Sequence, residues 1–300
     1  MNTKNFKKGI KSYTNQLIRY FFRPVWKFFY NLYKNIEYDD CIGLATRIAF
    51  SSLFSLVPLL IVIITTLGFI GLSNETINRL ANMLLLDAPT PIKNLLERNI
   101  VTIFSKPQRE LLSIGIIFTI WGSTNVLSVA LLGINRIFKG HNTRPFYTRR
   151  MISFLFILCI GILTGILYIF SHTLSSILDY YKIENNLGNL IMSLKWPIST
   201  FAVFILSMSV YYIAPPTKIP MYVTMPGAVF FTGFWNVLTI CFKYYINRLG
   251  DFSAIYGTLT TGVLLMIWFY LAGLIFMVGG EINYLLYLKL PKIKKNNNKS

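Results

Sequence analysis

The residues that could do chemistry in this chain are few, and most lie in or beside apolar stretches. Glu281 is the only acid between Asp251 and the C-terminus, and mostly apolar residues separate it from Lys289. Burying a carboxylate unpaired is costly, so Glu281 calls for a basic partner or a shifted pKa. A second group of polar residues lies between Trp121 and Phe138, in WGSTNVLSVALLGINRIF. On a helix, Trp121, Asn125, Ser128, Leu132 and Asn135 recur at i, i+4, i+7, i+11 and i+14 and so share one face. Lipid cannot hydrogen-bond an asparagine, so this stripe should face protein or a wet cavity. Arg136 follows it directly, and Arg47 opens an earlier apolar run just behind Asp39 and Asp40. These spacings predict an ionic cluster of Arg47, Arg136 and Glu281 on one side of the membrane. Asn125, Ser128 and Asn236 would continue it inwards as the lining of a binding site.

Other chemistries find little support. His141 and His172 are expected on opposite sides of the membrane, and no H-x-x-x-H, C-x-x-C, G-x-S-x-G or P-loop spacing occurs. Cys41, Cys159 and Cys241 stand singly, at no metal-ligand spacing and with no disulfide framework. Asp39 and Asp40 are the only adjacent acids, whereas a phosphodiesterase would normally cluster carboxylates or histidines around metal. No enzyme activity, metal or cofactor is expected.

The elements that must position these residues follow from composition. The chain is 54% hydrophobic and only 13% charged, where soluble domains carry about a quarter charged residues. It reads as an all-α polytopic membrane protein. Six apolar segments, at roughly 43–72, 111–134, 152–174, 197–214, 225–247 and 257–288, are each near or above the ~20 residues that cross a bilayer. Pro58 marks a kink in the first, and Pro226 is placed to be the first helical residue of the fifth. Gly161 and Gly165 in the third, and Gly262, Gly273 and Gly280 in the sixth, are spaced for close helix approach.

The net charge of +18 would suit nucleic acid, but its distribution reads better as topology. Lys and Arg concentrate before Arg47, in the 135–150 loop and in the tail, which places both termini in the cytoplasm. No nucleic-acid partner is expected. Residues 1–38 alternate basic and bulky residues as a basic amphipathic helix on an anionic membrane surface would. Residues 39–288 form the transmembrane domain, with an extracytoplasmic loop at 73–110. Thr90-Pro91 and the apolar spacing after it predict amphipathic helix there. Residues 289–300 read as a basic disordered tail.

Several stretches taken together resemble the YihY/virulence factor BrkB family of bacterial inner-membrane proteins, formerly labelled ribonuclease BN. They are DDCIGLATRIAFSSLFSLVPLL, NRIF with TRPFYTRR, YYIAPPTKIP, MPGAVFFTGFWNVL, YGTLTTGVLLMIWFYL and GGEINYLL, which together span roughly residues 35–288. Pro58, Asn135, Arg136, Pro226, Gly227, Tyr256, Gly257, Gly280 and Glu281 match its motifs, while Arg47 stands where a small residue is expected. The resemblance implies six helices in the plasma membrane. With the residues above, it suggests binding or movement of an amphiphilic, lipid-like envelope component, with anionic membrane lipids as partners. A membrane scaffold is the alternative, and a membrane-bound ribonuclease the third.

Overall fold

The computed structural model describes residues 23–69, 109–139, 145, 147–159, 186–217, 219–248 and 253–290. Among the described residues every regular element is an α-helix. They are α1 (Arg23–Tyr38), α2 (Cys41–Phe69), α3 (Arg109–Ile137), α4 (147–159), α5 (Asn186–Ile213), α6 (Met221–Arg248) and α7 (Ser253–Tyr287). Residues 1–22, the helices expected in the 73–110 loop, the Gly161–Gly165 spacing and the tail from 291 lie outside them.

Among the described residues four helices are long and apolar enough to cross a membrane, over Ser113–Ile137, Trp196–Ile213, Met221–Tyr245 and Gly262–Tyr287. Their outer faces carry exposed Ile117, Phe201, Val237 and Ile267. A water-soluble surface seldom exposes so many large apolar side chains, whereas lipid accommodates them. Two helices differ from expectation at their starts. α5 begins at Asn186, well before the apolar stretch, and carries Pro197 in its interior. α6 begins at Met221, so Pro226 lies inside the helix and not at its first residue.

α7 is mostly apolar and has no distinct polar face, as suits a central helix. It packs against α1, α2, α3 and α6, while α2 lies along α3 and α5 along α6. The innermost side chains are Leu44, Ile134, Ile137, Tyr211 and Met277. Small residues let the backbones approach. A Cβ on Gly133 would meet Met277 Sδ at 2.7 Å, and one on Gly280 would meet Ile134 Cδ1 at 2.5 Å. Gly273 packs on Ala45, whereas Gly262 has no neighbour among the described residues within 4 Å.

The interior proline of α6 has its own support. A proline inside a helix lacks an N–H and crowds the preceding turn. The Asn283 side chain spans this turn: Gly227 N–H donates to its Oδ1 at 2.7 Å, and its Nδ2 donates to Thr224 O at 3.2 Å. One buried amide on α7 thereby satisfies backbone groups beside Pro226. Tyr211 ties α5 to the same helix, donating to Phe276 O at 2.7 Å.

α1 buries Leu32 and packs Ile36 against the core. It leaves Trp26, Phe29, Tyr30 and Tyr33 exposed beside Lys27 and Lys34, in keeping with an amphipathic helix. It turns into α2 at Asp40, which has φ 54° and accepts the Gly43 N–H on Oδ1 at 3.2 Å. Aspartate is one of the few side chains that tolerate this left-handed backbone while capping a helix start. Asp40→Ala is expected to cost about 1–2 kcal/mol, and Asp40→Asn far less, because asparagine can do both. Thermal unfolding of the two variants in detergent tests this, and equal stabilities would refute the capping role.

Candidate functional site

Two places gather the residues of interest. The first is a buried ionic cluster where the α1–α2 turn, the end of α3 and the last turns of α7 meet. Asp39 is 1% exposed, and Lys139 Nζ reaches both its oxygens at 2.9 and 2.7 Å. Local backbone brings the lysine there. The chain leaves α3 after Ile137, and Lys139 takes a left-handed φ of 53°, the conformation glycine usually supplies at a helix end. The ammonium lies 4.3 Å from the Tyr38 ring centre, a cation–π distance.

Glu281 is fully buried beside this pair. Its Oε1 lies 3.9 Å from Cys41 Sγ, and its Oε2 is buried with no hydrogen-bond partner. Asn35, Asp39 and Lys139 all face its carboxyl. Among the described residues the basic group nearest to Glu281 is Lys139, whose ammonium is bound to Asp39.

The predicted partners go elsewhere. Arg136 is half exposed and pairs at 3.9 Å with Asp40, not with Glu281. One helical step separates the two faces: Asn135 is 4% exposed while Arg136 points outwards. Arg47 is exposed on α2, because Leu44, Ala45 and Ile48 take the buried face of that helix. The cluster of Arg47, Arg136 and Glu281 is therefore corrected to Asp39, Lys139 and Glu281, flanked by an Arg136–Asp40 pair at the surface.

The second place is a cavity of about 570 Å³ between the helices, within the ~300–1,000 Å³ range of ligand pockets. It draws on α2 through α7, with Leu56, Leu127, Phe156, Leu206, Trp235 and Phe269 on its wall, and it is almost wholly apolar. Ser52, Ser123 and Ser207 are among its few polar residues. The apolar layer of Leu44, Ile134 and Met277 lies along the helices between this cavity and the ionic cluster.

The predicted lining residues do not line it. Asn125 Nδ2 donates to Ser51 Oγ at 2.8 Å across the α2–α3 seam, where Gly122 abuts Ser55. Asn236 accepts from Thr200 at 3.3 Å and donates to Thr232 O at 2.9 Å, joining α6 to α5. Ser128 is buried in α3 and absent from the wall. Asn125, Ser128 and Asn135 are turned towards protein, as lipid exclusion requires, while Trp121 at the start of the stripe is exposed. Asn125 and Asn236 serve helix packing.

A basic group unforeseen at this depth stands nearby. The Arg150 guanidinium lies 3.6 Å over the Trp121 ring, and its Nη2 donates to Trp121 O at 3.2 Å. Trp121 is fifteen residues before Arg136 on α3, about 22 Å at helical rise. On α4, Arg149, Ser153 and Phe156 share a face at i, i+4 and i+7. Ser153 is fully buried and Arg149 Nε is buried without a partner, so this face runs from an arginine to the cavity wall.

The family described as virulence factor BrkB matches residues 32–300. The putative ribonuclease-like protein YfkH of Bacillus subtilis is 30% identical over 253 residues, covering 82% of this chain and 91% of that protein. A UPF0761 membrane protein of Acinetobacter baylyi is 24% identical over 271 residues, covering 89% of this chain and 64% of its own length. One from Tolumonas auensis is 24% identical, with 87% and 82% covered. No solved structure matches the chain.

Proposed function

The chain belongs to the virulence factor BrkB family of membrane proteins, and from that premise we propose that it binds an amphiphilic, lipid-like component in the bacterial plasma membrane. The central cavity carries this reading. A volume of about 570 Å³ walled by leucine, phenylalanine and tryptophan from six helices suits an acyl or isoprenoid chain. An anionic headgroup would meet Arg149, whose Nε lacks a partner two turns from Phe156 on the cavity wall. We read the topology as six spans with both termini cytoplasmic. The 29 residues of α2 suffice for a fifth span and the 152–174 stretch for a sixth. The basic residues before Arg47 and in the tail support the orientation, whereas Arg150 of the 135–150 loop lies beside Trp121 and does not.

Membranes extracted into polymer discs, followed by counting of co-purified lipid, test the binding. Leu206→Trp and Ser52→Phe put bulk into the cavity and are expected to bring bound amphiphile down to background in folded protein. Lipid content unchanged by both would overturn the reading. Transport across the bilayer would be a further step built on this binding.

A scaffold is the second reading, favoured by Asn125 and Asn236 being engaged between helices. A hydrolytic reading draws less support. Asp39 is held by Lys139, and Asp40 by Arg136 and the Gly43 amide. The ribonuclease-like name belongs to the Bacillus relative.

A further inference from the structure

The ionic cluster is unbalanced, and its imbalance is buried. Asp39 and Glu281 present two carboxyl groups to one ammonium, that of Lys139. The neighbouring pair, Asp40 with Arg136, is balanced and half exposed. Among the described residues the other groups turned towards Glu281 carry no compensating charge. They are Asn35 from α1, the Cys41 thiol from α2 and Tyr284 from α7 itself. The ring centres of Tyr38 and Tyr284 lie 4.3 and 5.7 Å from the Lys139 ammonium.

A lone buried negative charge is among the most expensive arrangements a protein can hold. Proteins relieve it by binding a counter-charge. Glu281 Oε2, fully buried and without a hydrogen-bond partner, marks where one would sit. Asn135, one turn before Lys139, has a buried Oδ1 that also lacks a partner. Among the described residues no three His, Cys, Asp or Glu gather as they would around a divalent or transition metal. Two carboxyls and one lysine ask for a single unit of positive charge.

We infer that Asp39 and Glu281, closed over by Lys139, form a binding site for one monovalent positive charge, a proton or an alkali-metal cation. The site joins the α1–α2 turn to the ends of α3 and α7, so occupancy should clamp these three elements. It lies apart from the apolar cavity, and the inference does not depend on what that cavity binds.

Thermal unfolding of the full-length protein in detergent tests it. At fixed pH, NaCl or KCl is compared with N-methylglucamine chloride at equal ionic strength. At fixed salt, pH is lowered from neutral. At a ligand concentration about tenfold above half-saturation, the melting temperature is expected to rise by about 3 °C. A response to the alkali cations identifies a metal-ion site, and a response to acid alone identifies a proton site. Glu281→Gln, which keeps shape and removes the charge, is expected to abolish the response. Asp39→Asn, which leaves Lys139 balanced by Glu281 alone, is expected to do the same and serves if the first variant does not fold. Indifference of the wild type to cations and to pH overturns the inference. So does a wild-type response in either folded variant.

Discussion

Gly227→Ala is expected to lower stability by about 3 kcal/mol or more, a large effect for one methyl group. A Cβ at this position would run into the Gly279 carbonyl oxygen and the Asn283 amide, so α6 and α7 would have to separate. Neither obstacle yields cheaply. The carbonyl is backbone of the central helix. The amide holds the Gly227 N–H and the Thr224 carbonyl beside Pro226, and moving it would strand buried polar groups. The control lies six residues on. Gly233 has nothing among the described residues within 4 Å, so Gly233→Ala should be neutral or stabilise by up to about 1 kcal/mol through helix propensity. Unfolding of both variants in detergent gives the comparison. Equal effects would mean that α6 and α7 do not meet as described.

The spans were legible in the sequence because lipid imposes a simple demand, about twenty apolar residues in a row, and α3, α5, α6 and α7 answer it. Polar groups inside those runs were legible in kind but not in partner. Asn125 had to avoid lipid, and it does, yet spacing along one helix cannot tell a cavity wall from a seam with Ser51 on the next. Glu281 needed a cation. That the basic group near it is Lys139, shared with Asp39, and not Arg136 turns on a left-handed residue at the end of α3, invisible to a count of basic residues. Asn283 was missed although its signal was present. An asparagine in a mostly apolar helix must bond to another helix, and Pro226 and Gly227 mark where backbone groups need help.

The corner at Asp39 and Asp40 offers the sharpest energetic contrast, because two adjacent aspartates each meet a cation under different conditions. Lys139→Met is expected to cost about 2–4 kcal/mol. Asp39, 1% exposed, would be left charged and unpaired in the interior beside Glu281, and breaking a buried pair from one side is costly. The 38% exposure of the lysine side chain keeps the value below that of a fully enclosed pair. Arg136→Ala removes a pair at 3.9 Å whose side chains are 50% and 49% exposed, and is expected to cost no more than about 0.5 kcal/mol. Asp39→Leu combined with Lys139→Met removes both charges. The double variant should therefore be more stable than the sum of the single losses predicts, by about 1–3 kcal/mol. Such a cycle separates attraction between the two side chains from the penalty of stranding one. Were Arg136→Ala to prove as damaging as Lys139→Met, the arginine would be the true partner of the buried acids and the cluster would have to be redrawn around it.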